Sequence, residues 1–235
     1  MTLLFGIMIV VAAYLVGAIP AAYLAGKWLR GVDLRRHGSG NVGATNLAAL
    51  TSKTVAVPVI IFDLSKGALM VLVAHLLHMG IVTEVAVGLA AIIGHNWSVF
   101  LRFGGGRGLL TAIGVALMLP MLNGSPPWAI IITLTIVAIM VKTTRNAPLG
   151  TGTGPLVLPF LGWGLGDPLP VVLSYVTIFL ISVMKRLAGP RAAIAGSLSY
   201  KQLFINRLVF DRDIRDRNAW LNRQSAGQLK TQKKD

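Results

Sequence analysis

The chain alternates between long apolar stretches and short polar connections. A helix that crosses a bilayer needs about 20 largely apolar residues, because it rises only about 1.5 Å per residue. Seven stretches reach or approach that length, and the shorter ones are expected to be partly buried in protein: residues 3–26, 55–77, 81–100, 109–122, 128–141, 154–166 and 169–184. The pattern predicts an all-α integral membrane protein with about seven transmembrane helices.

Positive charge is distributed unevenly among the connections. Lysine and arginine occur in residues 27–53, 102–107 and 142–145 and again from 185 onward, whereas the connections between these carry none. Cytoplasmic loops of membrane proteins are enriched in these two residues. We therefore predict that the N-terminus lies outside, that the C-terminus is cytoplasmic, and that the polar connections gather on the cytoplasmic face.

Composition narrows the class of partner. Hydrophobic residues make up 54% of the chain and charged residues 13%, and the formal net charge is +14. Because the cations lie in connections beside the membrane, anionic lipid headgroups are the expected partner and nucleic acid is not. The sequence contains no cysteine, which excludes disulfide bonds and thiolate metal ligands, and no metal site is expected.

Residues 1–189 are predicted to form the membrane domain, and residues 190–235 a basic cytoplasmic tail. Opposite charges in the tail recur four residues apart, which favours a surface helix. Its apolar residues suit either an edge on the bilayer interface or a solvated helix, and the Gln- and Lys-rich end is expected to be disordered. The spaced pairs are Asp211 with Arg215, Arg212 with Asp216, and Asp213 with Arg217.

A polar, glycine-rich segment at residues 37–46 follows the first apolar stretch. Its glycines let backbone N–H groups approach an anion closely, and neighbouring side chains add further donors. The segment is therefore either an anion-binding loop or a turn that caps the next helix. The residues that carry these donors are Ser39, Gly40, Asn41, Thr45 and Asn46.

A second glycine-rich segment, at residues 94–108, also precedes an apolar helix. Backbone donors at the start of that helix, its dipole and a guanidinium together suit a phosphate group, and Gly105, Gly106 and Arg107 are the candidates. His95 in this segment is either a hydrogen-bonded structural residue or a catalytic one.

Two charged residues, Asp63 and Lys66, enter the second apolar stretch. Ionisable groups inside a membrane are usually functional or paired. A spacing of three residues lets these two pair on one helix face, and anion binding by Lys66 is the alternative.

Taken together, these segments resemble the bacterial membrane family of acyl-phosphate-dependent glycerol-3-phosphate acyltransferases. The resemblance runs from Gly17 to about Gly189, and its motifs keep the order and spacing of the family. They are residues 17–20 with Tyr23, Leu24 and Lys27, residues 38–46, Asp63 with Lys66 and Gly67, and residues 94–108.

The resemblance implies a seven-helix fold in the bacterial cell inner membrane, with a multi-pass topology and a cytoplasmic active site. It implies a fatty acyl-phosphate donor, sn-glycerol 3-phosphate as acceptor, lysophosphatidic acid as product, and no metal or organic cofactor. It implies Ser39, His95 and Arg107 as catalytic residues, with Arg107 in place of a family lysine. The implied substrate-binding residues are Ser39, Gly40, Asn41, Thr45, Asn46, Lys66, Asn96, Gly105, Gly106, Arg107 and Arg186.

The chain departs from the family pattern at several positions. Ala49 stands where the family has an arginine, and Ser98 where it usually has a proline. A further family motif, which we call the third motif, has a histidine and an asparagine six and three residues before an arginine-leucine pair near the end of the last helix. Aligning that pair with Arg186 and Leu187 puts Leu180 and Val183 in place of the histidine and the asparagine. These departures keep open a non-catalytic relative that binds a phosphorylated lipid or acts as a membrane scaffold. A transporter of organic phosphates is a further alternative.

Overall fold

The computed structural model describes residues 3–189 and 192–222. Within this part of the chain the regular structure is helical, apart from one isolated bridge between Ser98 and Gly104. Short 3-10 turns cover Val99–Leu101 and Ala193–Ala195. The α-helices are α1 Leu3–Ala18, α2 Ala21–Arg30, α3 Ala44–Leu50, α4 Lys53–Leu76, α5 Ile81–Asn96, α6 Leu109–Leu122, α7 Trp128–Thr144, α8 Ala147–Gly164, α9 Leu169–Leu187, α10 Tyr200–Phe210 and α11 Arg217–Leu221.

Helices account for all seven apolar stretches, which confirms the all-α prediction. The stretch Leu3–Arg30 and helices α4 and α9 are long and apolar enough to cross a membrane, and α5, α6 and α7 are apolar but shorter. Large apolar side chains are exposed on these helices, including Leu3 at 83%, Val82 at 71% and Leu169 at 56%. An exterior this apolar is matched to hydrocarbon and not to water.

At two places the helices depart from the predicted stretches. The stretch predicted at 3–26 is broken after α1, because Pro20 contributes no N–H donor and the helix ends at Ala18. The stretch predicted at 154–166 belongs to the longer helix α8, which begins at Ala147. Its preceding residue Asn146 caps the helix by accepting a hydrogen bond from the Leu149 N–H at 3.3 Å.

Glycines let α1 and α5 cross closely. A Cβ at Gly94 of α5 would overlap the backbone carbonyl of Tyr14, and a Cβ at Gly17 of α1 would overlap the carbonyl of Ala91. Small residues at such crossings allow the backbones of membrane helices to approach each other. The crossing brings the end of α5 beside the break between α1 and α2.

The prediction for the tail is partly wrong. Two helices are present, but α10 ends at Phe210 before the spaced charges begin, and the short α11 begins only at Arg217, the last of these charges. Asp211 adopts a left-handed conformation with φ of 54°, and residues 211–216 are not helical. The carboxylate of Asp211 pairs with Arg107 instead of a residue one turn away. The end predicted to be disordered, residues 223–235, lies outside the described residues.

The described part of the tail packs on the helical bundle, where α10 contacts α8 and α9. Arg186 in the last turn of α9 donates to the carbonyl of Leu208 in α10 at 2.6 Å and to that of Pro148 in α8 at 2.8 Å. The tail is therefore joined to the bundle by buried polar contacts, and the division of the chain at residue 189 stays a prediction.

Candidate active site

The first glycine-rich segment folds around the side chain of Asn46. The amide nitrogen of this buried residue lies within 3.2 Å of the carbonyl oxygens of Leu34, His37 and Asn41. Its amide oxygen accepts a hydrogen bond from the Ser39 N–H at 3.1 Å. Because a side-chain amide has two N–H donors, both are engaged by the loop backbone. Asn46 therefore stabilises the loop, and the geometry favours an indirect part in ligand binding.

A surface ion pair lies just before this segment in the sequence. Arg35 Nη2 lies 2.7 Å from Asp33 Oδ2, and the guanidinium lies 4.8 Å from the centre of the Tyr23 ring. Hydrogen bonding to Arg35 lowers the pKa of Asp33 to about 2. The Arg35 charge is thus neutralised locally, so an anion at the first segment depends on the loop's own donors.

The second glycine-rich segment folds back onto the end of α5. The N–H of Ser98 donates to the carbonyl of Gly104 at 2.9 Å, and the N–H of Gly106 donates to that of His95 at 3.1 Å. A Cβ at Gly106 would overlap His95 Nε2, so this backbone lies directly against the imidazole. The buried hydroxyl of Ser98 donates to the Ala18 carbonyl at 2.6 Å, which joins the segment to the break after α1.

The two glycine-rich segments meet beside a narrow cavity. A Cβ at Gly106 would lie 3.0 Å from the carbonyl oxygen of Val42, so the two backbones are in direct contact. The break between α1 and α2 forms a further wall. The cavity is lined by Ala18, Ile19, Pro20, Ala21, Ala22, Val42, Asp63, His95, Ser98, Leu101, Gly105 and Gly106.

A larger and more open depression lies on the tail around Ile205 and Val209. Its lining is mainly apolar and includes neither glycine-rich segment. The narrow cavity is therefore the candidate site, because only there do the polar segments converge.

A buried charge pair lies at the wall of the narrow cavity. Lys66 Nζ is 2.8 Å from Asp63 Oδ1, and the two side chains are 1% and 3% exposed. The ammonium also donates to the carbonyl of Ile19 at 3.3 Å, and His95 Nδ1 lies 3.5 Å from the same Asp63 oxygen. Of the two roles predicted for Lys66, the geometry favours holding Asp63, because protein oxygens surround the ammonium.

Asn96 is fully buried at the end of α5, and neither polar atom of its side chain has a hydrogen-bond partner in the structure. Buried polar atoms without a partner are uncommon, and a ligand or a water molecule is the usual means of satisfying them. The backbone carbonyl of Asn96 accepts a hydrogen bond from Lys185 Nζ, which also lies 5.2 Å from the centre of the Trp97 ring. Lys185 of α9 therefore places a cation beside Asn96.

Two arginines predicted to bind substrate are engaged by protein groups. Arg107 pairs with Asp211 through Nε at 2.9 Å and Nη2 at 2.9 Å, and its Nη1 donates to the carbonyl of Lys185 at 2.6 Å. Arg186, besides its backbone contacts with α8 and α10, donates to the hydroxyl of Thr151 at 3.2 Å. Arg186 thus fastens α9 to its neighbours.

The remaining predicted residues occupy different surroundings. Gly105, Gly106 and His95 line the cavity, whereas the side chain of Thr45 is exposed on α3. The half-buried Ser39, Gly40 and Asn41 lie in the adjoining segment, where the hydroxyl of Ser39 accepts from the Asn41 N–H at 3.3 Å. No cluster of three or more side chains able to hold a metal ion occurs among residues 3–189 and 192–222.

Sequence reasoning assigned no site role to Asp63, Lys185 or Asp211. Asp63 carried a signal, since a carboxylate within an apolar stretch needs a partner. Lys185 resembled an ordinary cation at the end of a membrane helix, where long side chains reach toward water. Asp211 gave no signal, because its partner lies 104 residues away in the sequence.

The sequence is similar to named proteins over most of its length. A family model described as glycerol-3-phosphate acyltransferase matches residues 7–193. Glycerol-3-phosphate acyltransferase 5 of Dehalococcoides mccartyi is 44% identical over 232 residues, which cover 96% of this chain and 96% of the relative. Glycerol-3-phosphate acyltransferase 4 of the same species is 40% identical over 222 residues, covering 94% of each.

Two solved structures are also similar. Both are crystal structures of PlsY (YgiH), described as an integral membrane glycerol 3-phosphate acyltransferase. The glycerol 3-phosphate form has a TM-score of 0.70 at 30% identity and covers 77% of this chain and 88% of that chain. The lysophosphatidic acid form has a TM-score of 0.68 at 28% identity, with 77% and 87% covered.

Proposed function

The chain belongs to the glycerol-3-phosphate acyltransferase family and is an integral membrane acyltransferase, and we propose that it acylates sn-glycerol 3-phosphate from a fatty acyl-phosphate. The product is lysophosphatidic acid. The relatives and the two forms of the similar crystal structure support glycerol 3-phosphate as the acceptor. The acyl-phosphate donor rests on the resemblance of the motifs.

The observation that carries the proposal is the meeting of the two glycine-rich segments beside His95. Backbone N–H groups in such segments favour anions, and both substrates are anionic. The first segment, with Ser39, Gly40 and Asn41, is assigned to the phosphate and glycerol oxygens of the acceptor. The second, with Gly105 and Gly106 before α6, is assigned to the phosphate of the donor, where the helix dipole is favourable.

The chemistry is attack of the primary hydroxyl of the acceptor on the acyl carbonyl carbon. A carbon–oxygen bond to glycerol forms, and the bond between the acyl carbon and the phosphate oxygen breaks, so inorganic phosphate leaves with the electron pair. The protein contributes orientation of two anions and stabilisation of the leaving charge. The phosphate of the acceptor itself is the first candidate to take the proton of the hydroxyl.

His95 is the second candidate to take this proton. Its Nδ1 side faces Asp63 and its Nε2 faces Gly106. Asp63, itself held by Lys66, therefore orients the ring so that Nε2 is directed to the second segment. Lys185 contacts both Asn96 and Arg107, and we assign this polar group to the phosphate of glycerol 3-phosphate.

We further propose that seven helical segments cross the bilayer, with the N-terminus outside and the site on the cytoplasmic face. The alternation of basic and uncharged connections supports this orientation. The acyl chain of the donor then enters from the bilayer. The exposed side chains of Phe100 and Phe103, within the second segment, suit contact with lipid. A catalytically inactive scaffold and a phosphate transporter are not favoured by the named relatives.

The test is reconstitution of the purified protein with palmitoyl-phosphate and radiolabelled glycerol 3-phosphate. We expect labelled lysophosphatidic acid from the wild type and a loss of turnover in Ser39→Ala. Ser125→Ala is the matched control, because Ser125 follows the opposite end of α6, about 20 Å along a helix of 14 residues. Absence of product from folded wild-type protein would refute the proposed function.

A further inference from the structure

The tail places a carboxylate on the arginine of the second glycine-rich segment. Asp211 contacts Arg107 through both carboxylate oxygens, with Oδ2 accepting from Nε at 2.9 Å and Oδ1 lying 2.9 Å from Nη2. Asp211 lies beyond residues 7–193, which match the family model. The contact is therefore an addition to the matched region and not one of its motifs.

Contacts on both sides of Asp211 attach the tail to the rest of the protein. Arg207 Nε lies 2.7 Å from Asp213 Oδ1, and Arg207 Nη1 donates to the carbonyl of Leu187 at 2.5 Å. Asp213 also accepts from the N–H of Ala192 at 2.7 Å. These contacts anchor both sides of the turn at Asp211 to the end of α9.

The geometry of the pair leaves the guanidinium able to bind a second anion. A guanidinium has five N–H donors. Asp211 occupies the edge formed by Nε and Nη2, and the carbonyl of Lys185 takes a hydrogen of Nη1. At least one hydrogen on each of Nη1 and Nη2 remains after these contacts, because the Nη2–Oδ1 contact is an ion pair without hydrogen-bond geometry. A lysine ammonium lacks the planar set of donors that lets a guanidinium bind a carboxylate along one edge and a second anion along another. Binding both groups therefore requires arginine at this position.

Resting on the proposed function, we infer that Asp211 is a positioning residue: it fixes the guanidinium of Arg107 so that the remaining N–H donors bind the phosphate of glycerol 3-phosphate. The tail is thereby a part of the acceptor site. The alternative is that the Asp211 carboxylate competes with the phosphate for Arg107. In that case the contact weakens phosphate binding, and removing the carboxylate strengthens it.

The experiment measures KM for glycerol 3-phosphate and KM for palmitoyl-phosphate in full-length Asp211→Asn. Asparagine tolerates the left-handed backbone of this position, so the turn is retained while the charge is removed. We expect KM for glycerol 3-phosphate to rise about tenfold, with KM for palmitoyl-phosphate unchanged. Asp216→Asn is the control, because it removes the same charge from the same tail without touching Arg107.

An unchanged or lower KM for glycerol 3-phosphate in Asp211→Asn would overturn the inference. Because wild-type turnover is measured in the same assay, this result is distinct from failure of the proposed function, in which the wild type makes no product.

A double-mutant cycle with Arg107→Lys adds a second criterion. If Asp211 acts through the guanidinium, the double variant has the same KM for glycerol 3-phosphate as the worse single variant. If the factors by which the two single substitutions raise KM instead multiply in the double variant, the inference is contradicted. If Asp211→Asn does not fold, Asp211→Gly decides, because glycine adopts the left-handed backbone and removes the carboxylate. A wild-type KM for glycerol 3-phosphate then overturns the inference, and a raised KM with an unchanged KM for palmitoyl-phosphate supports it.

Discussion

Replacing Lys66 by methionine leaves the carboxylate of Asp63 buried without its nearest cation. The side chains are 1% and 3% exposed and their charged atoms are 2.8 Å apart, so water does not compensate for the loss. His95 lies 3.5 Å from the same oxygen and offers only a weaker partner. We therefore expect Lys66→Met to destabilise the folded protein strongly.

The size of the effect follows from the burial. Removing one member of a buried ion pair costs about 3–5 kcal/mol. For chains of this length, 1 kcal/mol corresponds to a change of about 2–4 °C in the melting temperature, so the expected loss is about 6–20 °C. The exposed pair of Arg35 and Asp33 is the control, because Arg35 is 43% exposed at its side chain. Arg35→Met is expected to cost at most about 1 kcal/mol.

The assay is thermal unfolding in a fixed detergent, followed by the reconstituted acyl-transfer reaction. In the double variant Asp63→Asn with Lys66→Met no charge is left unpaired, so most of the lost stability is expected to return. The activity of the double variant then separates the two roles of Lys66. Recovered stability with some turnover supports a role in holding Asp63, whereas recovered stability with no acceptor binding supports direct contact with the anion.

Two results would refute the reasoning about this pair. The first is a melting temperature of Lys66→Met within about 2 °C of the wild type, which would mean that water reaches Asp63. The second is a double variant no more stable than Lys66→Met, since the loss would then come from packing and not from an unpaired charge.

Two further substitutions test the helix crossing and the unpaired amide. Gly94→Ala is expected to cost at least about 2 kcal/mol in the same unfolding assay, because its Cβ would overlap the Tyr14 carbonyl; Gly6→Ala, whose Cβ meets only the end of the Met79 side chain at 3.9 Å, is the tolerated control. Asn96→Leu is expected to leave the melting temperature unchanged or raised while reducing turnover, since an apolar side chain of similar size replaces unpaired polar atoms; a parallel loss of stability and turnover would show that the amide is structural.

The helical architecture followed from the sequence because apolar runs are a strong signal. The ends of the helices were harder to predict where the hydropathy of the sequence does not follow the hydrogen bonding of the backbone. The break at Pro20 lies within a continuous apolar run, so hydropathy alone does not reveal it. Helix α8 begins among glycine and threonine residues that lower the local hydropathy, although the cap at Asn146 satisfies its first turn.

The site was predictable only as far as its donors cluster in sequence. Both glycine-rich segments carried a local signal, and the structure brings them together at Gly106. The internal role of Asn46 was not accessible, because a buried amide and an exposed one look alike in a sequence. The charges spaced along the tail were misleading. Asp211 pairs with Arg107 of the second glycine-rich segment, and its left-handed backbone conformation ends α10.

The orientation of α9 decides which way Leu180 and Val183, the two substituted positions of the third motif, face. Successive residues of an α-helix are about 100° apart, so Leu180 and Val183 lie about 140° and 160° around the axis from Lys185. Lys185 contacts the carbonyl of Asn96, whereas Leu180 is 52% exposed. A histidine and an asparagine at those two positions would therefore point away from Asn96. On this side of α9, Lys185 places a cation beside Asn96, and its carbonyl accepts a hydrogen bond from Arg107.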